Sequence, residues 1–204
     1  MSNRNDGQIP HLRLVPTTYS IVTIYTLSAT LELPVWAGFK SIRQEDKNRP
    51  EPAGRIELVI DPNRTEPDFS VMPVQAEAYT YAIEMQERVR DRILEGLLKE
   101  YPVWQRHADN AADDRGAKLP FLADANGFCH QLELAGLRIL EAHKEGLAYT
   151  GYLFRCTWEP EHGLGILMHG DRVVKIGSAD VASDNTLAEL DRDALNDTSY
   201  PLEY

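Results

Sequence analysis

One short stretch of this 204-residue chain, FRCTWEPEHGLGILMHG at residues 154–170, concentrates the side chains that could do chemistry. Cys156 and His162 could form a thiol–imidazole dyad for nucleophilic catalysis if the chain folds back between them. Glu161, His162 and His169 could bind a metal ion if a hairpin brings the two imidazoles close together. Both chemistries therefore depend on how the chain turns between two predicted strands.

The composition of this stretch is also that of a structural turn. Pro160 and Gly163 are typical turn residues, and Cys156 lies in an apolar run where a buried, inert thiol is the common outcome. Glu159 and Glu161 are close in sequence, but the carboxylate pair of a glycosidase also needs a cleft and a set separation. The chain contains no HExxH motif, no cysteine pair at ligand spacing and no GxSxG elbow. We therefore predict a turn without catalytic residues, metal ligands or a cofactor, with the three chemistries as open alternatives.

If the turn has a function, its side chains favour binding over catalysis. Trp158 would be an aromatic anchor, and Glu159, Glu161 and His162 would flank it with charge. These four residues are the binding surface predicted from the sequence.

The elements that must position this turn are mainly strands. Alternating and β-branched patterns predict early strands at residues 11–15, 19–36 and 55–61. Later strands, separated by turn residues, are predicted at residues 130–143, 147–158, 165–170 and 172–179. Consecutive strands joined by short turns indicate an antiparallel meander. The early strands are expected to form a hairpin or a second sheet.

One long amphipathic helix is predicted at residues 74–101. Apolar side chains recur there at helical spacing, Pro73 suits a helix start, and Pro102 is expected to end the helix. The polar residues 103–127 are predicted to form a loop, with a short helical piece as the alternative. Because such a helix usually covers a sheet face, the predicted fold class is α+β, a mostly antiparallel sheet packed by this helix, with a C-terminal β-meander.

Composition and charge limit the domain organisation and the partners. A hydrophobic fraction of 43% supports a single α+β domain at residues 11–182, between a flexible tail at 1–10 and an acidic flexible tail at 183–204. The formal net charge of -11 disfavours nucleic acid and anionic membranes, and it favours a basic protein partner. With two cysteines, no apolar leader and no run that could cross a bilayer, the chain is expected to be cytoplasmic with reduced thiols.

Three segments resemble a family of bacterial proteins that is classed only as a domain of unknown function. They are LELPVWAGF, PVQAEAYTYAIEMQERVRDRILEGLLKEY and GYLFRCTWEPEHGLGILMHGDRVVKIGSADVA. The third is the most specific, because it matches a family pattern C-x-W-[DE]-x-E-H-G-L-G with a later G-x-x-D-x-A ending, here Gly177, Asp180 and Ala182. The resemblance spans most of residues 19–182 and implies no established activity, catalytic residue or cofactor. Family members are similar in style to the small acidic immunity proteins that accompany bacterial toxins.

The favoured hypothesis is therefore a non-enzymatic protein-binding module, most specifically an immunity protein that caps a basic, toxin-like partner. One alternative is a small hydrolase-type enzyme that uses residues 156–162. Another is a self-associating structural module, and the sequence leaves the oligomeric state open.

Overall fold

The computed structural model describes residues 9–19, 22–41, 53–61, 70–111, 119–159 and 161–194. Within these residues, one sheet contains β1 (Arg13–Tyr19), β2 (Val22–Glu32), β3 (Arg55–Ile60), β4 (Leu132–Lys144), β5 (Leu147–Cys156), β6 (Leu164–His169) and β7 (Arg172–Ser178). The helices that pack against the sheet are α1 (Pro73–Glu84), α2 (Gln86–Ala111) and α3 (Asn185–Ala194). Short 3-10 segments lie at Pro34–Trp36, Ala125–His130 and Ala179–Ser183.

The seven strands follow one another across the sheet in chain order. Neighbouring strands are antiparallel except β3 and β4, which are parallel because the chain crosses between them through α1 and α2. The α+β class, the mostly antiparallel sheet and the meander β4–β7 are thereby confirmed. The early strands do not form a second sheet: the hairpin β1–β2 pairs with β3 and extends the same sheet.

Alternation along the strands gives the sheet two different faces. On β3, Ile56, Leu58 and Ile60 are buried in the main core with α1 and α2, whereas Arg55 and Glu57 are exposed on the opposite side. We call the side covered by α1 and α2 the inner face and the opposite side the outer face.

The prediction of a single helix at 74–101 is wrong in two respects: the segment forms two helices, and the second one continues beyond residue 101. The helical segment is interrupted at Met85, so α1 and α2 are separate helices, and α2 continues through Pro102 to Ala111. Proline removes one backbone donor, but here its ring is on the exposed side of the helix, while Tyr101 just before it is buried at 2% exposure. Burial of the apolar face outweighs the local cost. In the segment 103–127, the short helical piece left open by the sequence is the continuation of α2 as far as Ala111. Residues 112–118 lie outside the described ranges.

The amphipathic stripe predicted for this region lies on α2. Its buried positions Val89, Ile93, Leu97 and Tyr101 recur every four residues and face the sheet. Helix α1 buries mostly small side chains, including Ala76, Ala78 and Ala82, and packs on β4 and β5.

The predicted acidic flexible tail at 183–204 is wrong for its first part. Residues Asn185–Ala194 form α3, which packs on β4 from the outer face. Ala188 of α3 is fully buried in a small second core with Leu140, Tyr149 and Leu167. Burial of this apolar side of α3 explains why acidic residues do not keep the segment extended. Residues 195–204 lie outside the described ranges. At the N-terminus, residues 1–8 also lie outside the described ranges. Ile9, which belongs to the predicted flexible tail 1–10, is buried, with 2% exposure.

Two glycines let the chain between β7 and α3 lie directly on the sheet. A Cβ atom on Gly151 would stand 1.7 Å from the carbonyl oxygen of Ala182, which is itself fully buried. A Cβ atom on Gly165 would stand 2.5 Å from the carbonyl oxygen of Ser178 and 2.9 Å from the amide nitrogen of Ala182. The 3-10 turn Ala179–Ser183 therefore packs backbone against backbone on β5 and β6.

A buried amide links α1 to β4 and to the residue that follows β3. The Gln75 side-chain Nε2 donates to the carbonyl oxygens of Asp61 at 2.6 Å and Leu140 at 3.0 Å. Its Oε1 accepts from the Met72 amide at 3.0 Å. Because Gln75 has no solvent exposure, these bonds replace those that water would supply.

The carboxylate of Asp191 attaches α3 to the sheet. It accepts from the Tyr149 hydroxyl at 2.7 Å and from the Arg172 guanidinium at 2.9 Å. Burial acts to raise the pKa of Asp191, but the hydrogen bonds from Arg172 and Tyr149 outweigh it and lower the pKa below its ordinary value.

Candidate functional site

The stretch between β5 and β6 forms a tight turn, as predicted. The Thr157 amide donates to the Gln131 carbonyl oxygen at 3.1 Å, and the Gly163 amide donates to the Glu159 carbonyl oxygen at 3.0 Å. Gly163 has a φ of +72°, a conformation that glycine adopts without strain, and a Cβ atom there would stand 2.8 Å from the Phe154 carbonyl oxygen. The turn is thus fixed by backbone contacts on both of its sides.

Trp158 attaches the turn to α2 through an aromatic cluster. Its ring stacks on Trp104 with 5.5 Å between centroids and 22° between planes. It also meets the ring edges of Tyr101 at 5.6 Å and lies 6.2 Å from Phe128. Trp158 is only half-buried, so part of the stacked pair remains open to solvent.

A pocket of about 240 Å³ lies beside this stacked pair. Trp104, Trp158, Glu159 and His162 line it, together with the backbone at Gly163 and at the end of β7. Sequence reasoning named three of these four side chains and missed Trp104, because residue 104 lay in a predicted loop. Continuation of the helical period past Pro102 is the pattern that would have indicated it.

Carboxylates surround the exposed imidazole of this site. His162 Nδ1 lies 3.0 Å from the Glu159 Oε1, and the two side chains are 71% and 44% exposed. The hydrogen bond with Glu159 and the charges of Glu159, Glu161 and Asp180 raise the pKa of His162. The turn therefore presents negative charge to solvent beside an aromatic surface.

The thiol–imidazole dyad is not assembled. Cys156 is fully buried, and its Sγ lies 3.8 Å from the Glu159 carbonyl oxygen, to which it donates. The His162 ring instead contacts the Glu159 carboxylate and faces solvent. A buried thiol cannot reach a substrate, so the described geometry does not favour nucleophilic chemistry at Cys156.

The proposed metal ligands are also apart. His169 Nε2 contacts the Lys144 carbonyl oxygen at 3.1 Å, and its ring lies 4.7 Å from that of Tyr149. Those partners belong to the opposite end of the sheet from His162, where β4 and β5 are joined. No group of three or more His, Cys, Asp or Glu side chains placed to hold a metal ion occurs in the part of the chain that the structure describes.

Comparison with known proteins identifies a family. Residues 43–183 match the family described as Domain of unknown function (DUF6985), and this match covers more than half of the chain. The chain therefore belongs to that family, which agrees with the resemblance to a domain of unknown function, although the segment LELPVWAGF lies before the matched residues. The C-x-W-[DE]-x-E-H-G-L-G signature and the likeness to immunity proteins stay predictions. No curated protein and no solved structure matches the chain. Among the helices of the described residues, none is long and apolar enough to cross a membrane.

Proposed function

We propose that this protein is a non-enzymatic protein-binding module that docks on a basic partner, in the way that an immunity protein caps a toxin. In this proposal the pocket beside Trp158 receives one cationic side chain of the partner. The observation that carries it is that two stacked indoles and the Glu159 carboxylate line the same pocket.

The size of the pocket supports a side chain as the occupant. Its volume of about 240 Å³ is below the range of roughly 300–1,000 Å³ that small-molecule sites usually have. It is open at the rim, where Glu159 and His162 are exposed. A lysine or arginine that projects from a partner surface can enter such a pocket without the partner backbone having to follow.

The chemistry of the lining favours a positive charge. A cation against an indole face gains about 0.5–2 kcal/mol, depending on how far it is desolvated. The Glu159 carboxylate would accept hydrogen bonds from the same cation, with Glu161 and Asp180 close enough to influence the neighbouring imidazole. The formal net charge of -11 would speed the encounter with a basic partner through long-range attraction.

The four residues predicted from the sequence would then have different roles. Trp158 supplies the aromatic surface and holds the turn on α2, and Glu159 is the direct contact for the cation. Glu161 and His162 modulate the charge at the rim. Trp104 completes the aromatic surface.

The test begins with capture of binding partners by the purified protein at low ionic strength, followed by release with salt and identification by mass spectrometry. Binding of the captured protein is then compared among wild type, Glu159→Gln and the control Glu189→Gln, whose carboxylate is exposed on α3. Glu159→Gln should weaken binding about tenfold, the usual size of a lost contact to a charged group. The control removes the same charge, but Glu189 does not line the pocket. Its binding should therefore stay within about twofold of wild type.

Three results would contradict this proposal: no basic protein is captured, the association rate does not fall with salt, or both variants lose the same affinity. Sedimentation of the protein alone tests the alternative of self-association, since a dimer held by the turn would be broken by Glu159→Gln without any partner present.

A further inference from the structure

Among the residues that the structure describes, those that cover the outer face of the sheet lie on one side of it. The 3-10 turn Ala179–Ser183 and α3 lie on β4, β5 and β6, whereas the side towards β1 carries an open groove of about 860 Å³. A second cavity of about 410 Å³ at Gly136 and Leu153 adjoins it, since both share Glu57, Ala135 and Arg155 as lining residues. The groove therefore crosses the sheet from β1 to β5.

Cationic side chains gather in this groove although the chain is strongly acidic. Arg13 on β1, Arg55 on β3 and Arg155 on β5 all line it. Most arginines elsewhere in the described residues are ion-paired, and Arg155 itself lies 3.0 Å from Glu133. Within the same residues, Arg13 and Arg55 have no carboxylate at ion-pair distance. Both guanidinium groups are therefore available to an anion.

The spacing of these arginines indicates an extended ligand. They stand on alternate strands, and neighbouring strands of a sheet lie about 4.8 Å apart, so β1 and β5 are separated by roughly 19 Å. An extended peptide rises about 3.3 Å per residue, and roughly six residues would cross this distance. A single small anion would contact only one of the arginines.

The remaining lining favours a peptide over a purely anionic chain. Glu57 lies in the groove and accepts a hydrogen bond from the Ser28 hydroxyl at 3.3 Å, so the surface offers a carboxylate acceptor for peptide N–H groups. Val15, Ala135 and Leu153 provide apolar positions between the charges. A polyphosphate backbone would meet Glu57 and Glu133 with repulsion, whereas a peptide can place apolar residues or amide donors there.

We propose that this groove binds an extended acidic peptide segment of a partner, whose carboxylates pair with Arg13 and Arg55. The groove that holds these arginines shares no lining residue with the pocket beside Trp158 and takes the opposite charge, so the proposal does not depend on the proposed function. Only the adjoining cavity reaches the turn, at Glu161, His162 and Gly163. Elsewhere the acidic surface repels such a segment, which confines it to the groove.

The experiment uses the full chain and a fluorescein-labelled library of hexapeptides in which acidic and apolar residues alternate. Fluorescence anisotropy at low salt measures binding, and a library with Asn and Gln in place of the acids is the ligand control. The protein variants are Arg13→Gln, Arg55→Gln and Arg106→Gln. The last is the matched control, because Arg106 on α2 is also exposed and without an ion-pair partner among the described residues.

We expect members of the acidic library to bind, and each groove variant to weaken binding about fivefold to tenfold, while Arg106→Gln stays within about twofold of wild type. The amide library should bind at least about tenfold more weakly than the acidic one. The proposal is overturned if no acidic hexapeptide binds or if Arg106→Gln loses as much affinity as the groove variants. Full competition by inorganic phosphate at low concentration would also overturn it, in favour of a small-anion site.

Discussion

Substitution of Gly151 by alanine tests the backbone packing on which the outer face depends. The new Cβ atom would stand 1.7 Å from the Ala182 carbonyl oxygen, about half of an ordinary van der Waals separation. The 3-10 turn cannot slide aside, because Gly165 holds the same segment at Ser178, Ala179 and Ala182. Gly151→Ala must therefore either strain both backbones or detach the segment from the sheet.

Both outcomes cost a similar free energy. Overpacking of a well-packed site costs about 1–3 kcal/mol and occasionally more, and a clash between two backbones belongs at the upper end. Detachment would expose the fully buried Ala182 and Ala188 and the partly buried Val181 and Leu187. Burial of one large apolar side chain stabilises a fold by about 1.5–3 kcal/mol. We expect a loss of about 3 kcal/mol or more in the free energy of unfolding. For a chain of this length the melting temperature should fall by about 6–12 °C.

Urea unfolding followed by far-UV circular dichroism measures this loss, and Gly136→Ala is the matched control. Gly136 lies on the same face, but a Cβ atom there would stand 3.3 Å from the Glu57 carbonyl oxygen and 3.7 Å from a Leu153 methyl. The control should cost less than about 1 kcal/mol. A Gly151→Ala protein that unfolds within about 1 kcal/mol of wild type, or a control that loses as much, would refute the packing argument.

Four further outcomes follow from the described contacts. Gln75→Met should cost about 2–4 kcal/mol in urea unfolding, because two buried carbonyl groups lose their donor; a cost below about 1 kcal/mol would contradict this. The contribution of Asp191 to stability should be complete above the ordinary carboxyl pKa and be lost as the pH falls through its lowered pKa, and Asp191→Asn should remove that dependence from acid-unfolding curves. Cys156 should resist iodoacetamide in the native state and react on unfolding, as mass spectrometry can show; native labelling would place the thiol at the surface. Binding of a basic partner should weaken as the pH falls through the raised pKa of His162, since the protonated ring competes for Glu159; a binding profile that is unchanged in His162→Gln would count against it.

The sheet was predictable because its strands carry local patterns. Alternation and turn residues between β4 and β7 locate each strand within a few residues, and short turns dictate antiparallel neighbours. The four-residue recurrence from Val89 to Tyr101 likewise identified the face that α2 buries.

The errors arose where distant contacts outweigh local preference. Pro102 is a helix breaker by its covalent structure, but Tyr101 and Trp104 on either side of it pack on residues far along the chain. The acidic composition of α3 indicated an extended tail, but the Tyr149 and Arg172 side chains bind Asp191 and the small second core buries Ala188.

The stretch at residues 154–170 combines two roles that its composition alone does not separate. Gly163 and Gly165 are required by close backbone approach, and Trp158 by the aromatic cluster with α2, so packing accounts for the residues that looked most unusual. Packing does not account for the charge: Glu161 is exposed, and His162 contacts only the neighbouring carboxylate among the described hydrogen bonds. A function at this turn should therefore depend on its charged side chains. Variants that change Glu159, Glu161 or His162 test function with the fold intact, whereas variants of the glycines test the fold itself.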